Sequence, residues 1–121
     1  MKTVMIVDDS KAMRLIVRRT LRQAGYADLE LVEAANGKEA LDLILKAEPY
    51  LVLSDWNMPE MSGIELLTEL RQRASTVRFG FVTTEATAPM RDLAAAGGAL
   101  FLIAKPFGPE DFEKALKPVL G

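Results

Sequence analysis

The sequence predicts an α/β fold, a doubly wound, five-stranded parallel sheet with five helices packed on its two faces. Four of five short apolar runs lack the polar alternation of half-exposed strands, a stretch with helical periodicity follows each run, and the runs stop abruptly at polar residues. Uninterrupted apolar strands are buried on both faces, and strict alternation with helices implies right-handed crossovers and a parallel sheet.

Thr3-Val4-Met5-Ile6-Val7 is the first run and ends at Asp8 and Asp9. After it, Met13, Ile16, Val17, Thr20, Leu21 and Ala24 recur at the spacing of one helical face, and Gly25 supplies the stop. Arg14, Arg18, Arg19 and Arg22 lie mostly off that stripe and read as a solvated helix face. Leu29 to Val32 is the second strand, and the capping pair Asn36 and Glu39 opens a helix that carries Leu41, Ile44 and Leu45 inward. Leu51-Val52-Leu53 is the third strand, Ser62 and Glu65 repeat the capping pattern before Ile64, Leu67 and Leu70, and Phe79 to Val82 form the fourth strand. A short fourth helix is expected, because Pro89 is tolerable only near a helix start and Ala94 to Gly98 offers little side chain to pack. Leu100 to Ala104 is the last strand, and Gly108 and Pro109 open a final helix with Phe112, Ala115, Leu116 and Val119 inward.

With 121 residues, 50% of them hydrophobic, the chain is expected to form one domain over 1–121 with a single core. Fifteen Lys and Arg against 17 Asp and Glu give a net charge of -2, which offers no global attraction to nucleic acid or an anionic membrane. There is no cysteine and no histidine, so disulfides, thiolate zinc sites, thiol nucleophiles and imidazole bases are excluded. The N-terminal apolar stretch is too short for a signal peptide or a membrane span, and a cytoplasmic protein is the expectation.

Ligand sites in open α/β sheets lie outside the carboxyl ends of the strands. That rule selects Asp8 and Asp9 after the first strand, Asp55 after the third, Thr83 at the end of the fourth and Lys105 after the fifth. Taken singly, Asp8 to Ser10 would be a helix cap, Asp55 and Lys105-Pro106 turn residues, and Thr83 a strand residue. Taken together they converge on one crevice. Three carboxylates there repel one another unless a cation neutralises them, and a set of oxygen ligands without histidine favours Mg²⁺. Such a site suits phosphoryl transfer, with Asp55 as nucleophile, Lys105 neutralising the new charge and Thr83 donating a hydroxyl hydrogen bond.

Ile6-Val7-Asp8-Asp9-Ser10, Ser54-Asp55-Trp56-Asn57-Met58-Pro59, Met61-Ser62-Gly63, Val82-Thr83-Thr84 and Lys105-Pro106-Phe107 resemble the motifs of response-regulator receiver domains. Ser54 to Pro59 is particularly similar to the single-domain chemotaxis regulators of that family. The resemblance implies a flavodoxin-like (β/α)5 sheet with strand order 2-1-3-4-5. It implies Asp55 as phosphoacceptor, Mg²⁺ on Asp9, Asp55 and the backbone carbonyl of Asn57, and Asp8 acting through water. It also implies Asn57 and Glu85 as positions that tune loss of the phosphoryl group, and a sensor histidine kinase as phosphodonor. A downstream signalling protein would read the state on the surface of the fourth and fifth strands and helices, with the chain a monomer that catalyses only its own phosphorylation and dephosphorylation.

One position departs from the family. Leu102 stands where the family usually carries a Tyr or Phe coupled to the threonine, and the neighbouring Phe101 should point to the opposite face of the sheet. The expected readout is therefore a shift around Thr83, Met90 and the fourth helix rather than an aromatic flip, unless Leu102 is simply a core leucine. Alternatives are a Mg²⁺-dependent phosphatase or phosphotransferase, which would need a substrate-binding cap, and a scaffold that works without phosphorylation. A flavodoxin-like cofactor binder would need a phosphate loop where Asp8 and Asp9 stand.

Overall fold

A computed structural model describes all 121 residues. Ten elements alternate along it: β1 (Thr3–Val7), α1 (Lys11–Gln23), β2 (Glu30–Ala34), α2 (Gly37–Lys46), β3 (Leu51–Ser54), α3 (Gly63–Gln72), β4 (Arg78–Thr83), α4 (Ala88–Ala96), β5 (Phe101–Ala104) and α5 (Pro109–Leu120). All strand pairs are parallel, in the order β2-β1-β3-β4-β5. The predicted fold class and strand order are those observed.

Side-chain alternation divides the strands between two cores. Met5, Val7, Val52, Phe79 and Phe81 pack with buried residues of α2, α3 and α4, whereas Val4, Ile6, Leu51, Leu53, Val82 and Ile103 pack with Val17 and Leu21 of α1 and Phe112 and Leu116 of α5. Each fully buried side chain of this size contributes roughly 1.5–3 kcal/mol, so the sheet acts as a stiff platform for whatever its ends carry. Phe101 joins the α1/α5 core and Leu102 the opposite one, as alternation requires. Gly80 makes the first placement possible, because a Cβ there would lie 2.2 Å from the Phe101 ring.

The helix starts at Asn36 and Ser62 follow the predicted capping pairs, and Thr87 caps α4 without having been predicted. Ser10, Asn36, Ser62 and Thr87 each accept a hydrogen bond from the backbone N–H three residues on, and Glu65 completes the box at Ser62. That reciprocal bonding holds the Glu65 carboxyl below the usual carboxylate range. Pro89 occupies the first turn of a nine-residue α4, of which only Ala94 is buried.

Several expectations are corrected. β2 runs two residues further than Val32, to Ala34, and Leu100 lies before β5 with its side chain exposed. Ile16 and Leu45 are exposed rather than inward, since each sits at the edge of its helix's apolar stripe, while Leu66 is fully buried and was not on the predicted face. The arginine face of α1 is not simply solvated: Arg14 and Arg18 both bind the Glu33 carboxylate on β2.

Candidate functional site

Strand register sets the site. Val7 pairs with Ala34 on one side and Ser54 on the other, so Asp8 and Asp55 leave adjacent central strands at the same level. Backbone bonds continue the ladder one step further: Asp8 N–H donates to Ala34 O at 3.1 Å and Asp55 N–H to Val7 O at 2.9 Å. On the other side Thr83 pairs with Ala104, and Lys105 N–H donates to Thr83 O at 2.9 Å.

Asp8 is only 4% exposed, and all its polar groups are engaged. Oδ1 accepts from Ser10 N–H at 2.9 Å, Oδ2 accepts from Lys105 Nζ at 3.0 Å, and the backbone carbonyl accepts from Arg14 Nη1 at 2.7 Å. A buried carboxylate is tolerated when it is paired and hydrogen-bonded in this way. Asp55 is partly buried; its Oδ1 accepts from Trp56 N–H at 2.7 Å and its Oδ2 lies 3.4 Å from Lys105 Nζ. Asp9 is exposed beside them. Carboxylate oxygens of Asp8, Asp9 and Asp55 all lie within 4.8 Å of one another.

The loop after β3 is fitted closely to Asp55. Gly63 N–H donates to Trp56 O at 2.8 Å, and a Cβ at Gly63 would stand 2.1 Å from the Asp55 carbonyl oxygen. Only glycine allows α3 to begin that near the acid. Trp56 turns into the core with its ring centroid 4.7 Å from that of Phe81, which anchors the loop from below. Asn57 Nδ2 donates to Glu85 Oε1 at 2.8 Å, linking this loop to the one after β4.

Thr83 is fully buried at the end of β4, and its Oγ1 accepts from Glu85 N–H at 3.1 Å. Accepting uses a lone pair and leaves the hydroxyl proton free to be donated. Met90 and Leu102 are partly buried against the same core. Arg91 of α4 donates from Nε to Ala86 O and from Nη1 to Leu102 O, both at 3.2 Å, and so joins the β4-α4 loop to β5.

Three carboxylates against one ammonium leave a local excess of negative charge, and the donor set is oxygen only. Those properties fit a hard divalent cation such as Mg²⁺ rather than zinc or copper. Asp9 and Asp55 are the side chains in position to hold it, with the buried and already paired Asp8 behind them. Asn57 engages Glu85 through its side chain; the expectation for it concerns its backbone carbonyl.

The predicted acidic residues and Lys105 are thus brought together, Thr83 lies next to Lys105 in the ladder, and Asn57 and Glu85 touch each other. Sequence reasoning missed Arg14, Glu33, Arg91 and the core role of Trp56. A signal for the first two was present: a glutamate inside the otherwise apolar Leu31 to Ala34 run calls for a cation.

An open, parallel α/β sheet with an acidic crevice at the carboxyl ends of its strands defines the class of protein, and the response regulator receiver domain profile matches residues 4–117. The chain belongs to that family. It is 40% identical over 121 residues to a chemotaxis protein CheY homolog of Campylobacter jejuni, covering 98% of this chain and 92% of the relative. It is 33% identical to sporulation initiation phosphotransferase F of Bacillus subtilis, covering 97% and 92%. Among solved structures, chemotaxis response regulator CheY4 of Vibrio cholerae superposes with a TM-score of 0.84 at 38% identity, covering 99% of each chain. No helix is long and apolar enough to cross a membrane.

Proposed function

We propose that the chain is a phosphorylation-controlled signalling switch, one receiver domain over 1–121, of the two-component and chemotaxis type. The observation that carries this reading is Lys105 Nζ standing 3.0 Å from Asp8 and 3.4 Å from Asp55, with Asp9 within reach of both acids. Asp55 is the phosphoacceptor. A carboxylate oxygen attacks the phosphorus of a phosphohistidine on a sensor kinase, the P–N bond breaks, and the imidazole nitrogen leaves with the electron pair and takes up a proton. The product is an acyl phosphate on Asp55.

Lys105 is already in place to neutralise the added charge, and the Thr83 hydroxyl has a proton to donate to a phosphoryl oxygen. Asp9, Asp55 and the Asn57 carbonyl would hold Mg²⁺, and Asp8 would act through water. When bound, the cation offsets the charge of the carboxylates and the phosphoryl group. The protein catalyses only its own phosphorylation and dephosphorylation.

The output is a change in partner binding on the β4-α4-β5-α5 surface of a cytoplasmic monomer, where Leu93 and Leu100 are each 54% exposed and available to a downstream signalling protein. Incubation with acetyl phosphate followed by intact mass tests the reading. A gain of one phosphoryl group with Mg²⁺ and none in EDTA is expected. No gain under either condition would favour a scaffold, and continuous phosphate release from added monoesters an enzyme.

A further inference from the structure

Asp8 and Asp9 sit in the turn between β1 and α1, and a turn holds two carboxylates in fixed positions only if its backbone is fixed. On its inner side the turn is tied by Asp8 N–H to Ala34 O. Besides the bonds that Ser10 N–H and Lys105 make to the Asp8 carboxylate, a further tie to its backbone comes from a side chain. Arg14 Nη1 donates to the Asp8 carbonyl at 2.7 Å while Arg14 Nε donates to Glu33 Oε1 at 2.6 Å. Glu33 is in turn held from its second oxygen by Arg18 Nε at 2.5 Å.

The Arg14 side chain is only 15% exposed, and its planar fork spans two acceptors, one in the turn after β1 and one on β2, a geometry that a lysine cannot reproduce. Nothing in this arrangement touches a carboxylate of the acidic pocket.

We infer that Arg14 is a positioning residue for Mg²⁺, locking the Asp8-Asp9 turn to β2 through Glu33 so that Asp9 is presented to Asp55. The inference rests on the proposed Mg²⁺ site. Groups that orient metal ligands without binding the metal typically set affinity by about 10–100-fold.

The sign of the effect separates positioning from charge. Arg14 is a cation near the end of β1, so on electrostatic grounds alone its removal would favour a dication. Loss of positioning has the opposite effect. Arg14→Lys keeps the charge and loses the two-point fork, so charge alone predicts no change for that variant.

Mg²⁺ affinity measured by calorimetry on the unphosphorylated full chain, with folding checked by circular dichroism, tests this. Binding about tenfold weaker in Arg14→Gln, and weaker by a smaller factor in Arg14→Lys, is the expected result. Should Arg14→Gln fail to fold, Arg14→Lys carries the test alone. Unchanged or tighter binding in Arg14→Lys overturns the inference while leaving the Mg²⁺ site intact, whereas absence of Mg²⁺ binding in the wild type overturns the site reading itself.

Discussion

Asn57 Nδ2 donates to Glu85 Oε1 at 2.8 Å, bridging the loops that follow β3 and β4 beside the acidic pocket. On the proposed reading, the bridge holds a further carboxylate against the loop that carries the phosphoacceptor. Like charge there opposes approach of an anion, by an amount on the order of 0.5–1 kcal/mol for a partly exposed group. Glu85→Gln, which keeps an acceptor for Asn57, should therefore raise the rate of phosphorylation by acetyl phosphate roughly two- to fivefold. Glu85→Ala should do the same. Stopped-flow or mass-resolved time courses check this, and acceleration in Glu85→Ala alone would show that the bridge matters rather than its charge.

The Lys105 side chain is 12% exposed between acid side chains that are 6% and 13% exposed, so its pairing is a buried one and not a solvent-screened surface contact. Removing one partner of such a pair leaves uncompensated charge behind, at a cost on the order of 3 kcal/mol. Lys105→Met should show that loss in urea denaturation in EDTA. Added Mg²⁺ should stabilise the variant more than the wild type, because the cation no longer competes with an ammonium. Equal Mg²⁺ stabilisation of both proteins would contradict the placement of the metal beside Lys105.

Burial pushes the Glu33 carboxyl up, and the hydrogen bonds and charges of Arg14 and Arg18 outweigh burial and hold it below its ordinary 4.5. A carboxyl with a lowered pKa in the folded state stabilises the fold fully above its unfolded value, and that contribution is lost as pH falls through the folded value. The stability advantage of wild type over Glu33→Gln should be greatest above 4.5 and shrink as the solution is acidified below it. Denaturation midpoints across that range read the difference directly, and a gap independent of pH would remove the clamp from the account.

Leu102 lies on the α4 face of β5, its carbonyl is held by Arg91, and the same guanidinium holds Ala86 in the loop beyond Thr83. With no aromatic ring at this position, movement of Thr83 toward a phosphoryl group should be relayed by that loop. Beryllofluoride with Mg²⁺ should shift the NMR signals of Thr83, Met90 and Leu102, and Arg91→Ala should reduce the shift at Leu102 while sparing that at Thr83. No change at any of the three on beryllofluoride binding would contradict this route.

Much of the fold was legible because its determinants are local. Val4 to Val7, Leu51 to Leu53 and Phe79 to Val82 read as buried strands since every residue in them is apolar or nearly so, and the capping residues Ser10, Asn36 and Ser62 bond only three positions away. Asp8, Asp55 and Lys105 were legible because the carboxyl-end rule needs only the points where strands stop. Ile16 and Leu45 misled because periodicity gives a direction around the helix but not how far the sheet extends beneath it. Arg14, Arg18 and Glu33 escaped for another reason: a guanidinium reaches across elements, so Arg14 finds a partner 19 residues away that no local pattern specifies. The bond that Thr83 Oγ1 accepts from Glu85 N–H likewise depends on the β4-α4 loop rather than on the strand.

The central claim is that Asp55, and no other acid of the pocket, carries the phosphoryl group. Borohydride reduces an acyl phosphate to the alcohol, so phosphorylated protein treated with it and digested should contain homoserine in place of Asp55 alone. Conversion at Asp8 or Asp9, or in Asp55→Asn, would contradict the account.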